Sequence, residues 1–391
     1  MSDLFLNGCG LKLWGLEHGA CYGRGMSFGN KHALVFVFVL LVLPEVHAGR
    51  RKVIIDQDAF GPGGPNLQPV LMVLQSPDVE VLGITIESGD GWQAENVAHT
   101  LRMLELVGRT DIPVVPGATY PLVNSAEATK RWEARHGKLV YKGAWTEVWP
   151  AGSVNRRPVH APEVVPPSPE GEPTTKPLAE TAAAFLVRKV REFPGEVSIL
   201  ALGTQTNQAL ALQRDPALAG LAREIVIMGG SFNPHAAGNE FALEYAHRPR
   251  MEFNFRWDPE AADLVLRAPW RKVTLSPIDP TTRTLFTPAL INRIAAAGTP
   301  VTRYVSRHIE GFPMWDELAA AVWLEPGIVT RREVLAVGVD TATEGAGYGS
   351  TLSWSRGEGP GLGERDAEVV FEVDVPRLED LVVRLLSRKE G

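Results

Sequence analysis

Asp56-Gln57-Asp58 is the first place where side-chain types and spacing could do chemistry. Two carboxylates two residues apart suit a hard cation that takes only oxygen ligands. The same pair also suits a turn in which Asp caps the backbone or the helix that follows, and the motif alone leaves both open. The adjoining loop Phe60-Gly61-Pro62-Gly63-Gly64-Pro65 has neither the Lys-Ser/Thr ending of a phosphate-binding loop nor the spacing of a dinucleotide fingerprint. A glycosyltransferase that used the Asp pair to hold a metal and a nucleotide sugar would need a diphosphate site, and no basic or glycine-rich loop supplies one. Thiol chemistry is confined to Cys9 and Cys21, the two cysteines of the chain.

The elements that position these residues alternate in type. Lys52 to Asp56 is a short β-rich run, followed by the Gly/Pro loop and a helical stretch from Leu67 to Gln75. Further strands are predicted at Glu80 to Ile86, Ile112 to Val115, Val197 to Leu202, Glu224 to Met228, Lys272 to Leu275 and Val334 to Val339. Helices are predicted at Ala94 to Val107, Leu178 to Glu192, Asn207 to Arg214 and Pro259 to Leu266. Several strands are almost continuously apolar, as strands covered on both faces are. The order argues for an α/β fold, an open, mostly parallel sheet with helices on both faces. Ligands of such sheets sit beyond the carboxyl ends of the strands, where Asp56 and Asp58 fall.

From these residues onward the sequence resembles the inosine-uridine-preferring nucleoside hydrolase family, with its Rossmann-like core. The strand-end Asp-x-Asp is followed in order by Ile84-Thr85 to Asp90 with Glu95-Asn96, Leu104 to Val114, and Ala201-Leu202-Gly203-Thr204-Gln205-Thr206-Asn207. Then come Val226-Ile227-Met228-Gly229-Gly230, Glu252-Phe253-Asn254 with Asp258-Pro259-Glu260, Trp315-Asp316, and the closing run Phe371 to Val375. The match spans about residues 51–387.

The resemblance implies hydrolysis of the N-glycosidic bond of ribonucleosides, helped by a bound Ca2+. Carried over by position, the metal ligands are Asp58, the Thr206 backbone carbonyl, Asp316, and Asn66 in place of a normally acidic ligand. Asp58 is also the general base toward a metal-bound water, which attacks C1′ as in an inverting glycosidase. Asn239, Glu252 and Asn254 match the residues that hold ribose. Pyrimidine-accepting members often have His before the last metal-binding Asp, where this chain has Trp315. That resembles the purine-preferring branch, in which aromatic side chains sandwich the base; Trp132 stands at the second aromatic position and Asp90 at an acidic position near the base. Stacking on aromatic faces would favour a protonated base.

The pattern breaks in one place. Where the family has paired Asp residues after the glycine, this chain has Pro65 and Asn66, in a loop about three residues longer. A ligand of lower charge should weaken the cation site. An alternative to turnover is therefore a non-catalytic or substrate-altered nucleoside-binding protein on the same scaffold. Residues 125–177 also depart from the family core, and seven prolines between Pro158 and Pro177 read as an extended surface excursion.

Length and composition fit this reading. A chain of 391 residues, 45% hydrophobic and 22% charged, can bury a large core. A net charge of -7 without a basic stripe argues against nucleic acid as partner; the small-molecule nucleoside is the partner the resemblance implies. Residues 33–44 are apolar but too short for a stable membrane span. Lys31-His32 before them and Val46-His47-Ala48 after them read as a signal peptide cleaved after Ala48, with a start near Met26. The expectation is an exported protein, periplasmic or extracellular, with a leader of residues 1–48 and one hydrolase-like domain from 49 to 391. Self-association into a homo-oligomer is left open.

Overall fold

The computed structural model describes residues 49–149, 156–234, 242–309 and 311–389. The expected leader and Asn239 lie outside the described residues. Nine strands form one sheet: β1 Arg51–Gln57, β2 Val79–Ile86, β3 Val114–Pro116, β4 Val197–Ala201, β5 Glu224–Met228, β6 Val273–Ser276, β7 Val329–Val339, β8 Thr351–Ser355 and β9 Arg365–Val373. Their order across the sheet is β3-β2-β1-β4-β5-β6-β9-β7-β8. Every pairing from β3 to β9 is parallel, and β7 runs antiparallel to both β9 and β8.

Residue alternation along β1 separates two cores. Val53 and Ile55 join a cluster with Ile84, Ile86, Leu200 and Met228. Ile54 joins the opposite cluster with Val115, Ile199, Ala201 and Ile227. Helices α1 (Leu67–Leu74) and α2 (Gln93–Leu106), together with the helices Trp315–Leu324 and Val375–Leu386, bury residues in the first cluster. Helices α4 (Ala182–Glu192) and α5 (Thr206–Arg214), with Pro259–Arg267, bury residues in the second. Burial on both faces explains why the central strands read as continuous apolar runs.

The chain leaves β1 toward β2 and β3, then returns to place β4 on the other side of β1. This reversal opens a crevice beyond the carboxyl ends of β1 and β4. The proline-rich segment does not form a separate lobe. It lies along α2, where Arg102 Nε donates to the Glu170 carbonyl (2.9 Å) and Glu105 Oε1 accepts from the backbone and hydroxyl groups of Thr174 and Thr175 (2.6–2.9 Å). Helix α3 (Ala126–His136) precedes this segment, capped by the Ser125 hydroxyl, which accepts from Ala128 N.

Candidate active site

β1 ends at Gln57, and Asp58 is the next residue, buried at the crevice. Asp58 Oδ2 accepts the backbone N–H of Asp90 (2.8 Å), and Oδ1 accepts Asn66 Nδ2 (3.2 Å). Close approach of the Asp90 turn depends on Gly89, since a β-carbon there would collide with Asp58 Oδ2. Asn66 precedes α1 at the position of an N-cap, yet its side chain makes no cap bond. Its Nδ2 points instead at Asp58, at Asp90 Oδ2 (3.1 Å) and at Asp316 Oδ2 (3.5 Å). Gln57 fixes the base of this group: its Nε2 donates to the Asn66 carbonyl (2.9 Å) and to Asp316 Oδ2 (2.8 Å).

Asp316 lies in the first turn of the helix Trp315–Leu324, where the helix dipole favours an anion. Glu252 caps the helix Phe253–Trp257, accepting from the backbone of Gly230, Asn254 and Phe255 (2.7–3.1 Å). Asn254 Nδ2 donates to the carbonyls of Leu202 (2.9 Å) and Met228 (3.1 Å), tying together the loop ends of β4 and β5. Except for Gln57, these side chains face one cavity. Asp58, Asn66, Asp90, Glu252, Asn254, Trp315 and Asp316 line it.

Burial dominates the electrostatics. It holds Asp58 and Asp316 well above the usual carboxylate range, with repulsion from neighbouring acids adding to the effect. Asp90 is pushed up to about 6, despite the bonds from Asn66 and Tyr141 that favour its anion. Glu252 is pushed up to about 7, burial outweighing its three backbone donors. Asp56 does not join the group. Thr85 and Asn207 Nδ2 (2.9 Å) donate to it, and it does not line the cavity, so the strand-end pair does not act as one two-carboxylate ligand.

Trp132 and Thr206 are not among the residues that line this cavity. Trp132 belongs to a separate buried cluster with Leu139, Met251 and Tyr348, and its Nε1 donates to the Gly345 carbonyl (2.8 Å). Helix α3 buries the face that carries Thr129, Trp132 and Glu133. Thr206, expected to act through its backbone carbonyl, opens α5 and donates its hydroxyl to Asp258 Oδ2 (2.8 Å).

Aromatic residues that sequence reasoning missed make up much of the wall: Tyr141, Trp149, Tyr245, Phe253 and Phe312. Tyr141 donates to Asp90 Oδ1 (2.9 Å) and packs against Phe253 (5.0 Å) and Trp149 (5.7 Å). Phe312 meets Trp315 at 6.0 Å. The signal available for some of them was the run Tyr141, Trp145, Trp149 in the segment that departs from the family core.

The donor chemistry around Asn66 fits a hard cation: three carboxylate oxygens converge on one point, and Asn66 Oδ1 is buried without a partner. Among the described residues, however, no group of three or more His, Cys, Asp or Glu side chains is spaced to hold a metal. The carboxylates close on the amide nitrogen instead.

A sequence model of the family described as "Inosine-uridine preferring nucleoside hydrolase" matches residues 53–380. Among curated relatives, "Probable uridine nucleosidase 1" of Oryza sativa subsp. japonica is 31% identical over 361 residues, covering 88% of this chain and 98% of the relative. "Pyrimidine-specific ribonucleoside hydrolase RihA" of Enterobacter sp. (strain 638) is 30% identical over 303 residues, covering 74% of this chain and 83% of the relative. The solved structure titled "Plant nucleoside hydrolase - PpNRh1 enzyme" superposes with a TM-score of 0.66 at 24% identity, covering 87% of this chain and 99% of that one, a likeness of fold.

Proposed function

The chain belongs to the inosine-uridine preferring nucleoside hydrolase family, and on that premise we propose that it hydrolyses ribonucleosides, purine nucleosides foremost, to free base and ribose. The observation that carries this reading is the one cavity in which Asp58, Asp90, Glu252 with Asn254, and Trp315 with Asp316 meet, from four separate stretches of the sequence.

Asp58 is the general base. Its carboxylate takes a proton from the attacking water, the water oxygen bonds to C1′, and the electron pair of the C1′–N bond leaves with the base. The Asp90 N–H and the Asn66 amide orient that carboxylate. Glu252 and Asn254, each anchored to backbone groups at the ends of β4 and β5, present a rigid polar wall to the ribose hydroxyls. Asp58, Asp316 and Asn66 are the side chains that would hold Ca2+, which when bound polarises water and lowers its pKa. Trp315, with Phe312 behind it and Tyr141 and Trp149 among the other lining residues, offers the aromatic surface for the base. The relatives named for uridine and for pyrimidine ribonucleosides favour a second reading, a pyrimidine preference on the same machinery.

Release of base and ribose from inosine, adenosine, guanosine, cytidine and uridine, followed by chromatography with calcium and with chelator, tests both readings. The expected result is fastest release from a purine nucleoside and a loss of about 10²–10⁴-fold in Asp58→Ala. Fastest release from uridine selects the second reading. No release from any nucleoside by folded protein leaves a binding protein. We also propose export through residues 1–48; secreted protein whose mass begins before Gly49 would overturn cleavage after Ala48.

A further inference from the structure

We propose that the proline-rich segment is a pH-dependent strap: a protonated His99 clamps it to α2, and loss of that proton loosens the stretch from Arg157 to Glu170. His99 stands on α2, 2% exposed, between two buried carboxylates. Its Nδ1 lies 2.5 Å from Oε1 of Glu170, a strap residue whose side chain has no exposed surface. Its Nε2 faces Glu95 Oε1, one turn back on α2, at 3.8 Å. Arg157 Nη1, also from the strap, donates to the same Glu95 oxygen (3.0 Å), and His160 Nε2 lies 3.1 Å from Glu95 Oε2. Glu170 Oε2 is buried without a partner, so among the described residues His99 is the one side chain that donates to this carboxylate.

Nδ1–H can donate to Glu170 in either charge state, so Nε2 carries the proton that is gained and lost. With it, the imidazolium and the Arg157 guanidinium balance two buried carboxylates. Without it, the two carboxylates share one guanidinium, and burial makes the uncompensated charge expensive. Burial alone would lower the pKa of His99, but its contacts with Glu170 and Glu95 outweigh burial and raise it above the usual 6.5. Arg157, 3.5 Å from Nε2, works against the proton more weakly than the carboxylates work for it. Strap docking is therefore firmest below pH 6.5 and weakens as pH climbs through the raised value. From the helix Pro300–His308, packed on α2, come Tyr304 and His308, with Arg307 beside the latter. Burial keeps Tyr304 neutral and lowers His308, so neither takes over the charge of His99. Glu105, drawn down to about 2, keeps its bonds to Thr174 and Thr175 throughout, which anchors the far end of the strap. At the near end the Arg157 carbonyl accepts from Trp149 Nε1 (3.0 Å), an aromatic of the cavity wall, so the clamp bears on the cavity as well.

Hydrogen exchange of the full chain between pH 5.5 and 8, corrected for the intrinsic pH dependence of exchange, reads the clamp directly, with the amides of β4 as the reference for global unfolding. Protection across residues 157–171 should fall at least about threefold relative to β4 over that range. His99→Gln keeps a donor but carries no proton, so the slope should vanish and the strap should stay at its loosened level. Should His99→Gln not fold, Glu170→Gln, which removes the strap's own charge at this point, should flatten the slope instead. His160→Gln should keep it. A wild-type strap whose protection is constant with pH, or changes only in step with β4, overturns the proposal. So does a slope retained in His99→Gln or Glu170→Gln, or one lost in His160→Gln. None of these readouts needs turnover, so failure of the clamp leaves the hydrolase reading untouched.

Discussion

For Asp58 to serve as the base proposed above, its carboxylate must be held where a water and C1′ can meet it, and Gly89 permits the close approach of the Asp90 turn that holds it. A methyl group at position 89 would collide with Asp58 Oδ2 and lie 2.8 Å from Thr204 Cγ2, so Asp58 must shift. Gly89→Ala should therefore lower kcat/KM at least tenfold while leaving the fold intact, measured by base release beside a far-ultraviolet spectrum; unchanged turnover would show that Asp58 tolerates displacement. Asp58 was legible in sequence because a carboxylate just past a buried strand of a parallel sheet has one place to go. Trp315 and Asp316 were reached only through the family motif they match, since no periodicity announced the helix Trp315–Leu324 that carries them to the cavity. Trp132 was not legible, since a tryptophan on an amphipathic helix looks the same whether it meets ligand or packs on Met251 and Tyr348. Tyr141 and Trp149 were missed for the converse reason: loop aromatics carry no periodicity that tells lining from packing.

The proline-rich segment has a mechanical part to play beyond covering α2. Arg157 Nη1 donates to Glu95 Oε1 (3.0 Å), its Nη2 donates to the Gly61 carbonyl, and its guanidinium lies 3.6 Å from the centre of the Phe60 ring. Its own carbonyl accepts from Trp149 Nε1 (3.0 Å). One residue thereby ties the strap to α2, to the loop that carries Asn66, and to an aromatic of the cavity wall. Arg157→Ala should destabilise the protein by about 1–3 kcal/mol and speed amide exchange across residues 59–66, with KM rising more than kcat falls. Exchange in that loop no faster than in the wild type would mean the loop is held by its own packing. Proline density alone announced an extended segment, whereas its partners lie tens of residues away and left no local pattern. Strand legibility follows the same logic: β5 is apolar and buried from Ile225 to Met228 because both faces are covered, while the first half of β7, Val-Thr-Arg-Arg-Glu, is largely exposed and polar, and β8 is a short edge strand.

The switch in strand order gathers carboxylates from β1, the β2 loop and two helix starts into one buried crevice, and that concentration governs how the whole protein responds to pH. Glu252 rises from 4.5 to about 7 and Asp258 from 3.8 to about 6, both through burial; Asp58, Asp316 and Glu317 rise further in the same direction. For each of these acids the folded value exceeds the unfolded one. The native state therefore binds more protons, and stability falls as pH rises between the two values. His99, raised by its bonds to Glu170 and Glu95 against the pull of burial, acts the same way, its stabilisation present below 6.5 and lost above. Glu105, drawn down to about 2 chiefly by bonds from Thr174, Thr175 and Arg102 that overcome desolvation, works oppositely, but only as pH drops below 4.5. In chelator, the denaturation midpoint should thus peak near pH 5 and decline steadily to pH 8. The Glu252 share is of order 3 kcal/mol at about 1.4 kcal/mol per unit, so Glu252→Gln should flatten the slope between pH 5 and 7. A midpoint that climbs across that range would mean the crevice carboxylates are ionised in the folded protein and held by something other than their own protons.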